Sequence, residues 1–189
     1  MKRIGILGGT FDPPHLGHLI IADEVREVLN FDEVWFIPSN EPPHKDKARA
    51  NKMDRVNMVK RAIQHNDYFK LNTIEIDRLG KSYTLDTMQV LKSEHENCSF
   101  YFIIGADMVE YLPNWKNIKT LINLVTFVGV KRPGYKIKTD YPIIEVDVPT
   151  IDISSSEIRK RIRNNETVTY LIPSSVYQYI RMRRLYAKT

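Results

Sequence analysis

Short apolar runs alternate with helix-forming stretches along most of the chain, and this alternation constrains the fold more than any other feature. The apolar runs predict strands at residues 4–7, 33–37, 70–72, 99–104, 126–130 and 143–148, the last of them nearer an edge of the sheet. Apolar residues recur at helical spacing after the first run, from Leu16 onward, and two further helices are expected from about Ser155 and about Pro173. Alternation of this kind predicts an α/β fold, with a doubly wound parallel sheet, helices on both faces and C-terminal helices.

The size and composition of the chain fit a single globular domain over residues 1–189. Of its 189 residues, 42% are hydrophobic and 27% are charged, which is typical of a folded globular protein. Cys98 is the only cysteine, so an intramolecular disulfide is excluded and a reducing, cytoplasmic location is expected. The apolar run at residues 100–106 is far shorter than the roughly 18 residues that cross a bilayer, so no membrane partner is expected.

The formal net charge of +5 is concentrated at the C-terminal end of the chain. Residues 151–189 hold eight basic and three acidic side chains, and residues 1–150 balance to zero. A basic tail can attract RNA, an acidic membrane or a phosphorylated small molecule. Four of its cations lie around one predicted helix, and no RNA-binding signature is present, so a nucleic-acid-binding module is only the alternative interpretation.

The loop after the first strand carries the strongest chemical signal. It reads GGTFDPPHLGH from Gly8 to His18, which is neither a dinucleotide fingerprint nor a P-loop. Gly8 and Gly9 let a ligand approach the backbone, and the following helix offers its positive N-terminal end to an anion. His15 and His18 are three positions apart, so both can reach the same anion. The pattern predicts a phosphate site.

Two other features of the sequence bear on this site. His15 and His18 with Asp12 could instead form a zinc site, although no further cysteine or histidine lies near them in sequence.

The segment ISSSEIR at residues 153–159 places three hydroxyls at a helix start and Arg159 one turn later. Arginine binds phosphate oxygens bidentately, but this segment alone could equally be an ordinary serine cap.

Together, GGTFDPPHLGH and ISSSEIR resemble the paired motifs of the HxGH nucleotidylyltransferase superfamily, which has a Rossmann-like fold. The resemblance covers nearly the whole chain and is closest to the bacterial nicotinate-mononucleotide adenylyltransferases. Further similar segments are PPHK at residues 42–45, SYTLDT at 82–87, IIGADM at 103–108, and Trp115.

This resemblance implies transfer of AMP from ATP to nicotinate mononucleotide, giving deamido-NAD and pyrophosphate, with Mg²⁺ bound through the ATP phosphates. It implies that the catalytic residues are His15, His18 and Arg159. The implied ATP-binding residues are Gly8, Gly9, Thr10, Phe11, His15, His18, Gly105, Asp107, Ser155, Ser156 and Arg159. The implied residues for the mononucleotide are Lys45, Tyr83, Thr84, Thr87 and Trp115. Nicotinamide mononucleotide and phosphopantetheine remain rival acceptors, and members of this family are often homo-oligomers.

Overall fold

One six-stranded parallel sheet organises the molecule. The computed structural model describes residues 1–41, 48–78, 80–131, 137–149 and 151–187. Within them the strands are β1 (Lys2–Gly9), β2 (Glu33–Pro38), β3 (Phe69–Leu71), β4 (Cys98–Gly105), β5 (Thr126–Lys131) and β6 (Ile143–Asp147). Their order is β3-β2-β1-β4-β5-β6, and every neighbouring pair is parallel. The predicted parallel sheet is confirmed, with β6 at an edge as expected.

Helices cover both faces of the sheet. They are α1 (Leu16–Leu29), α2 (Lys52–Ile63), α3 (Ile74–Asp77), α4 (Thr84–Glu94), α5 (Ala106–Tyr111), α6 (Ile118–Leu124), α7 (Ser155–Arg163) and α8 (Ser174–Met182), with a 3₁₀ turn at Leu112–Asn114. The side chains of β4 alternate between two apolar clusters, with Phe102 and Ile104 packed on the α4 and α6 side and Ile103 on the α1 and α2 side. Because both faces are covered, the strand is apolar over most of its length, from Phe100 to Ile104.

The C-terminal helices form a third apolar cluster with α2, in which Met58 packs with Ile158, Val176 and Ile180. No helix in the described ranges combines the length and the apolar character needed to cross a membrane.

Two helix starts differ by one residue from what the residue types favour, since threonine is typical of an N-cap and proline of a first helical residue. Thr84 is the first residue of α4 and not its N-cap, because the N–H of Thr87 already donates to the carbonyl of Tyr83. Pro173 is the N-cap of α8 and not its first residue, since its carbonyl accepts from Tyr177. The helical pattern locates a helix, but the backbone hydrogen bonds decide where it begins.

Candidate active site

The crevice of this fold opens between β1 and β4. The chain leaves β1 toward β2 on one side and leaves β4 toward β5 on the other, so the loops after these central strands separate. Two cavities flank the crevice, one of about 190 Å³ and one of about 530 Å³. We call them the first and the second cavity. The residues of the GGTFDPPHLGH loop contribute to both.

The two histidines of this loop form a stacked pair at the start of α1. Their ring centroids lie 3.7 Å apart, with 30° between the ring planes. The backbone N–H of His15 donates to Nδ1 of His18 at 3.1 Å. A neutral histidine that accepts at Nδ1 carries its proton on Nε2, so this hydrogen bond presets His18 as an Nε2–H donor.

Gly17 makes room for this pair. A Cβ at position 17 would lie 3.0 Å from Nδ1 and 3.2 Å from Cε1 of His15. These distances are tighter than most real Cβ contacts, so a larger residue would displace the His15 ring from its partner. The stacking of the two histidine rings therefore requires a glycine at position 17 on steric grounds.

His15 is uncharged at neutral pH. Its ring is buried, and burial lowers the pKa of His15 from 6.5 to about 4, because the imidazolium loses its hydration. Nδ1 of His15 has no hydrogen-bond partner among the described residues. At this position the pair therefore presents a neutral imidazole, whose ring nitrogens can hydrogen-bond to a ligand.

The low pKa of His15 predicts a loss of stability in mild acid. The unfolded chain binds a proton at this residue below pH 6.5, whereas the folded chain binds it only below about pH 4. As the pH falls from 6.5 to about 4, the free energy of unfolding should therefore decrease, by up to about 3 kcal/mol for this group. Urea unfolding over this pH range should show a shallower slope for His15→Gln. The same substitution at exposed His65 is the control, and equal slopes for the two variants would contradict the prediction.

The ISSSEIR segment lies directly on the GGTFDPPHLGH loop. Ser155 Oγ donates to the Pro13 carbonyl at 2.8 Å, and Arg159 Nη1 donates to the Asp12 carbonyl at 2.8 Å. Arg159 Nη2 also donates to Ser156 Oγ at 3.1 Å, and Ser154 caps α7 by accepting from Glu157. The fold thus joins two motifs that are more than 140 positions apart in sequence.

The first cavity combines an aromatic wall with the start of α4. Its lining includes Gly8, Gly9 and Thr10 from the loop, Ser82, Tyr83 and Thr84 from the α4 start, and Phe102, Trp115 and Lys116. The Trp115 ring packs edge-on against Phe102 at 5.9 Å. No side chain in the part of the chain that the structure describes caps α4, so its positive end is available to an anion. The cavity suits a flat ring that carries a negative group.

Thr87, which is predicted for this substrate, does not line the first cavity. Thr87 is 0% exposed, and its hydroxyl donates to Glu75 at 2.8 Å and accepts from Arg78 at 3.1 Å. It therefore lies behind Glu75, whose carboxyl lines the cavity and whose pKa is raised by burial. Lys45, with the rest of the PPHK segment, lies outside the described residues.

Sequence reasoning missed Ser39 and Glu75 in the first cavity. Ser39 directly follows β2, so its place at the carboxyl end of a strand was a usable signal. Glu75 lies in the short helix α3, and no pattern in the sequence marks it.

The second cavity combines an apolar wall with the charged side chains of Asp107, Glu110 and Lys131. Ile20, Ile21, Val148, Pro149 and Ile153 supply the wall, and His15, Gly17, Gly105 and Asp107 lie on the loop side. A Cβ at Gly105 would lie 2.7 Å from Oδ1 of Asp107, so only glycine allows this carboxylate its position. Phe11 is buried and packs edge-on against His18 at 5.0 Å.

Asp12 does not act as the third ligand that the zinc interpretation requires. Its carboxylate accepts from the backbone N–H groups of Arg49 (2.7 Å) and Ala50 (3.1 Å) and from the hydroxyl of Tyr186 (2.6 Å). With these donors in place, the carboxylate is committed to holding protein segments together.

Comparison with known proteins finds relatives of nearly the same length as this chain. The sequence model of the cytidylyltransferase-like family matches residues 6–161. A probable nicotinate-nucleotide adenylyltransferase of Bacillus licheniformis is 54% identical over 98% of this chain and 99% of its own. The nicotinate-nucleotide adenylyltransferase of Bacillus subtilis is 49% identical with the same coverage.

Among solved structures, nicotinic acid mononucleotide adenylyltransferase of Plasmodium falciparum, complexed with NaAD, has the same fold. It superposes with a TM-score of 0.82 over 98% of both chains at 23% sequence identity. The two histidines, the docked ISSSEIR segment and this near-full-length similarity lead to one conclusion: the chain belongs to the nicotinate-nucleotide adenylyltransferases, the nucleotidyltransferases of NAD biosynthesis within the cytidylyltransferase-like family.

Proposed function

We propose that the crevice between β1 and β4 joins the phosphate of nicotinate mononucleotide to the AMP portion of ATP. A phosphate oxygen of the mononucleotide attacks the α-phosphorus of ATP, the bond from that phosphorus to the bridging oxygen breaks, and pyrophosphate leaves. The products are deamido-NAD and pyrophosphate. One observation carries this proposal: the two cavities share the GGTFDPPHLGH loop, with Gly8 and Gly9 in one and His15 and Gly17 in the other.

The second cavity suits ATP. Its isoleucine and valine side chains offer an apolar surface for adenine, and the Asp107 carboxylate can accept hydrogen bonds from ribose hydroxyls. The triphosphate then runs toward Ser155, Ser156 and Arg159 at the start of α7. There the helix N-terminus and the guanidinium both favour phosphate.

The first cavity suits the nicotinate ring. Trp115 offers a flat face for stacking, and Nε1 of its indole has no partner in the described ranges, so the ring is held by packing alone. The uncapped start of α4 at Tyr83 and Thr84 favours the ring carboxylate over a neutral amide.

Positioning and charge stabilisation supply the catalysis in this proposal. The attacking phosphate is already an anion, so no general base is needed. The Nε2–H group of His18 donates to the oxygens of the α-phosphate as negative charge grows there, and neutral His15 holds the adjacent phosphate. The guanidinium of Arg159 binds phosphate oxygens and stabilises the leaving pyrophosphate.

The residues of the site fit a Mg²⁺ ion that is bound through the substrate. The Asp12 carboxylate, which belongs to the same loop as the histidines, is occupied by protein donors. Mg²⁺ keeps several water ligands and is commonly held by nucleotide phosphates, so it needs no protein cage here. When bound, the ion neutralises charge on the phosphate oxygens.

We also propose that the partners of the chain are its small-molecule substrates, without nucleic acid or membrane. Its single cysteine favours a reducing, cytoplasmic setting. Assembly into a homo-oligomer stays a prediction, which light scattering of the purified protein tests.

Pyrophosphate release with ATP, Mg²⁺ and three acceptors tests the proposal. Nicotinate mononucleotide should be strongly preferred over nicotinamide mononucleotide and phosphopantetheine, because only the acid places an anion at the start of α4. A preference for the amide or for phosphopantetheine would overturn the assignment of the first cavity. Steeply salt-dependent binding of RNA, without pyrophosphate release, would instead favour the alternative of a nucleic-acid-binding module.

A further inference from the structure

A buried carboxylate of the active-site loop ties together parts of the chain that are distant in sequence. Asp12 is 4% exposed. Its side chain accepts from the N–H groups of Arg49 and Ala50, and its backbone carbonyl accepts from Arg159. The loop that carries the histidines is thereby joined both to residues 49–50 and to the helix that holds Arg159.

A buried cation donates hydrogen bonds to the same loop. Arg55 is 1% exposed and donates to the carbonyls of Thr10 (2.9 Å) and Asn40 (3.3 Å). Burial lowers the pKa of Arg55, and the nearby Asp12 carboxylate raises it again. The positive charge of Arg55 and the negative charge of Asp12 therefore stabilise one another.

The C-terminal segment completes this cluster. The hydroxyl of Tyr186 donates to Oδ1 of Asp12 at 2.6 Å, across 174 positions of sequence. Burial and the neighbouring Asp12 carboxylate raise the pKa of Tyr186, so the phenol stays protonated as a donor. Removing this hydroxyl would leave a buried carboxylate with one donor fewer, and that carboxylate would shift to recover it.

We infer that Tyr186 is a positioning residue of the active site, which holds Asp12 and with it the loop of His15 and His18 and the guanidinium of Arg159. This inference rests on the proposed function. Tyr186 lines neither cavity, so it acts through Asp12. Displacement of phosphate-binding groups by a fraction of an ångström lowers the rate strongly, because adenylyl transfer depends on their placement.

The same C-terminal segment contains a matched control. The hydroxyl of Tyr179 donates to Oδ1 of Asp54 at 2.8 Å, and Asp54 is also 4% exposed. Asp54 binds Asn51 and Arg183, and neither it nor Tyr179 lines a cavity. Tyr179→Phe therefore removes the same kind of hydrogen bond from the same kind of carboxylate, away from the crevice.

The test compares Tyr186→Phe with Tyr179→Phe in the full chain. Urea unfolding should show a similar loss of stability in both variants. Only Tyr186→Phe should lower kcat, by about tenfold to hundredfold at saturating substrates, with a rise in the Kd for ATP of about threefold to tenfold. Amide exchange at Arg49 and Ala50 should also accelerate in Tyr186→Phe alone.

Two outcomes would overturn the inference. One is a kcat and an ATP Kd of Tyr186→Phe that equal those of Tyr179→Phe, whatever the stability. The other is unchanged amide exchange at Arg49 and Ala50. Calorimetry of ATP binding needs no acceptor, so it decides the role of Tyr186 even where the acceptor assay rejects nicotinate mononucleotide.

Discussion

Replacing His18 with alanine should lower kcat by about a hundredfold or more, while the chain still folds. A preorganised donor to an oxyanion contributes this much to a transition state, and the hydrogen bond from His15 N–H presets the Nε2–H group of His18 as such a donor. The cost to folding should be small, about 1 kcal/mol for the loss of the capping hydrogen bond that the His18 side chain accepts from the N–H of His15, the N-cap of α1. Pyrophosphate release at saturating ATP and nicotinate mononucleotide, together with urea unfolding, measures both effects.

Two amide variants, each of which mimics one ring nitrogen of His18, separate the hydrogen bond with the His15 N–H from catalysis. His18→Asn retains an acceptor near the place of Nδ1 and loses the donor at Nε2, so it should be stable and as slow as His18→Ala. His18→Gln places an amide near Nε2 and should recover part of the rate. An asparagine variant with nearly wild-type kcat would remove His18 from the chemistry and leave it a helix cap.

Replacing Trp115 with alanine should raise the KM for nicotinate mononucleotide about tenfold or more, with little change in the KM for ATP. The indole forms the aromatic wall of the first cavity, and stacking of a ring on an aromatic side chain contributes about 1–3 kcal/mol. ATP is assigned to the second cavity, which Trp115 does not line. Initial rates with each substrate varied in turn provide both constants.

Trp35→Ala is the matched control for this variant. Trp35 packs edge-on against His95 and Phe100 and donates to Glu33, and it lines neither cavity. Both tryptophan variants should lose stability because both remove partly buried aromatic packing. Equal changes in the two KM values for Trp115→Ala, matching those of Trp35→Ala, would make Trp115 a purely structural residue.

Local pattern predicted the elements that position the site. Apolar runs and helical spacing located the strands and most helices, because burial of a face imposes a period that is visible within ten residues. The Gly-Gly turn and the paired histidines after β1 predicted a phosphate site for a similar reason, since the groups involved are neighbours in the chain. Tyr83, Thr84 and Trp115, which only the family resemblance grouped together, line the first cavity, and their role toward the mononucleotide stays a prediction.

Contacts between distant segments could be decided only by the tertiary structure. The sequence contains Arg159, but it does not show that its guanidinium donates to the carbonyl of Asp12. Thr87 belongs to the motif that predicted it, yet helix rotation places it behind Glu75 and away from the cavity. The tyrosines of the tail are interleaved with apolar residues, a pattern that favours packing, yet Tyr170 is 86% exposed and its φ is positive.

The same physical reason accounts for each difference. The sequence by itself determined the fold class, the crevice loop and the two histidines, because short-range spacing and burial encode them. It left undetermined which carboxylate accepts the hydrogen bond of the Tyr186 hydroxyl and which residues complete the lining of the first cavity. Those partners are chosen by distances across the packed molecule, between residues as far apart as positions 12 and 186, and no local period records such distances.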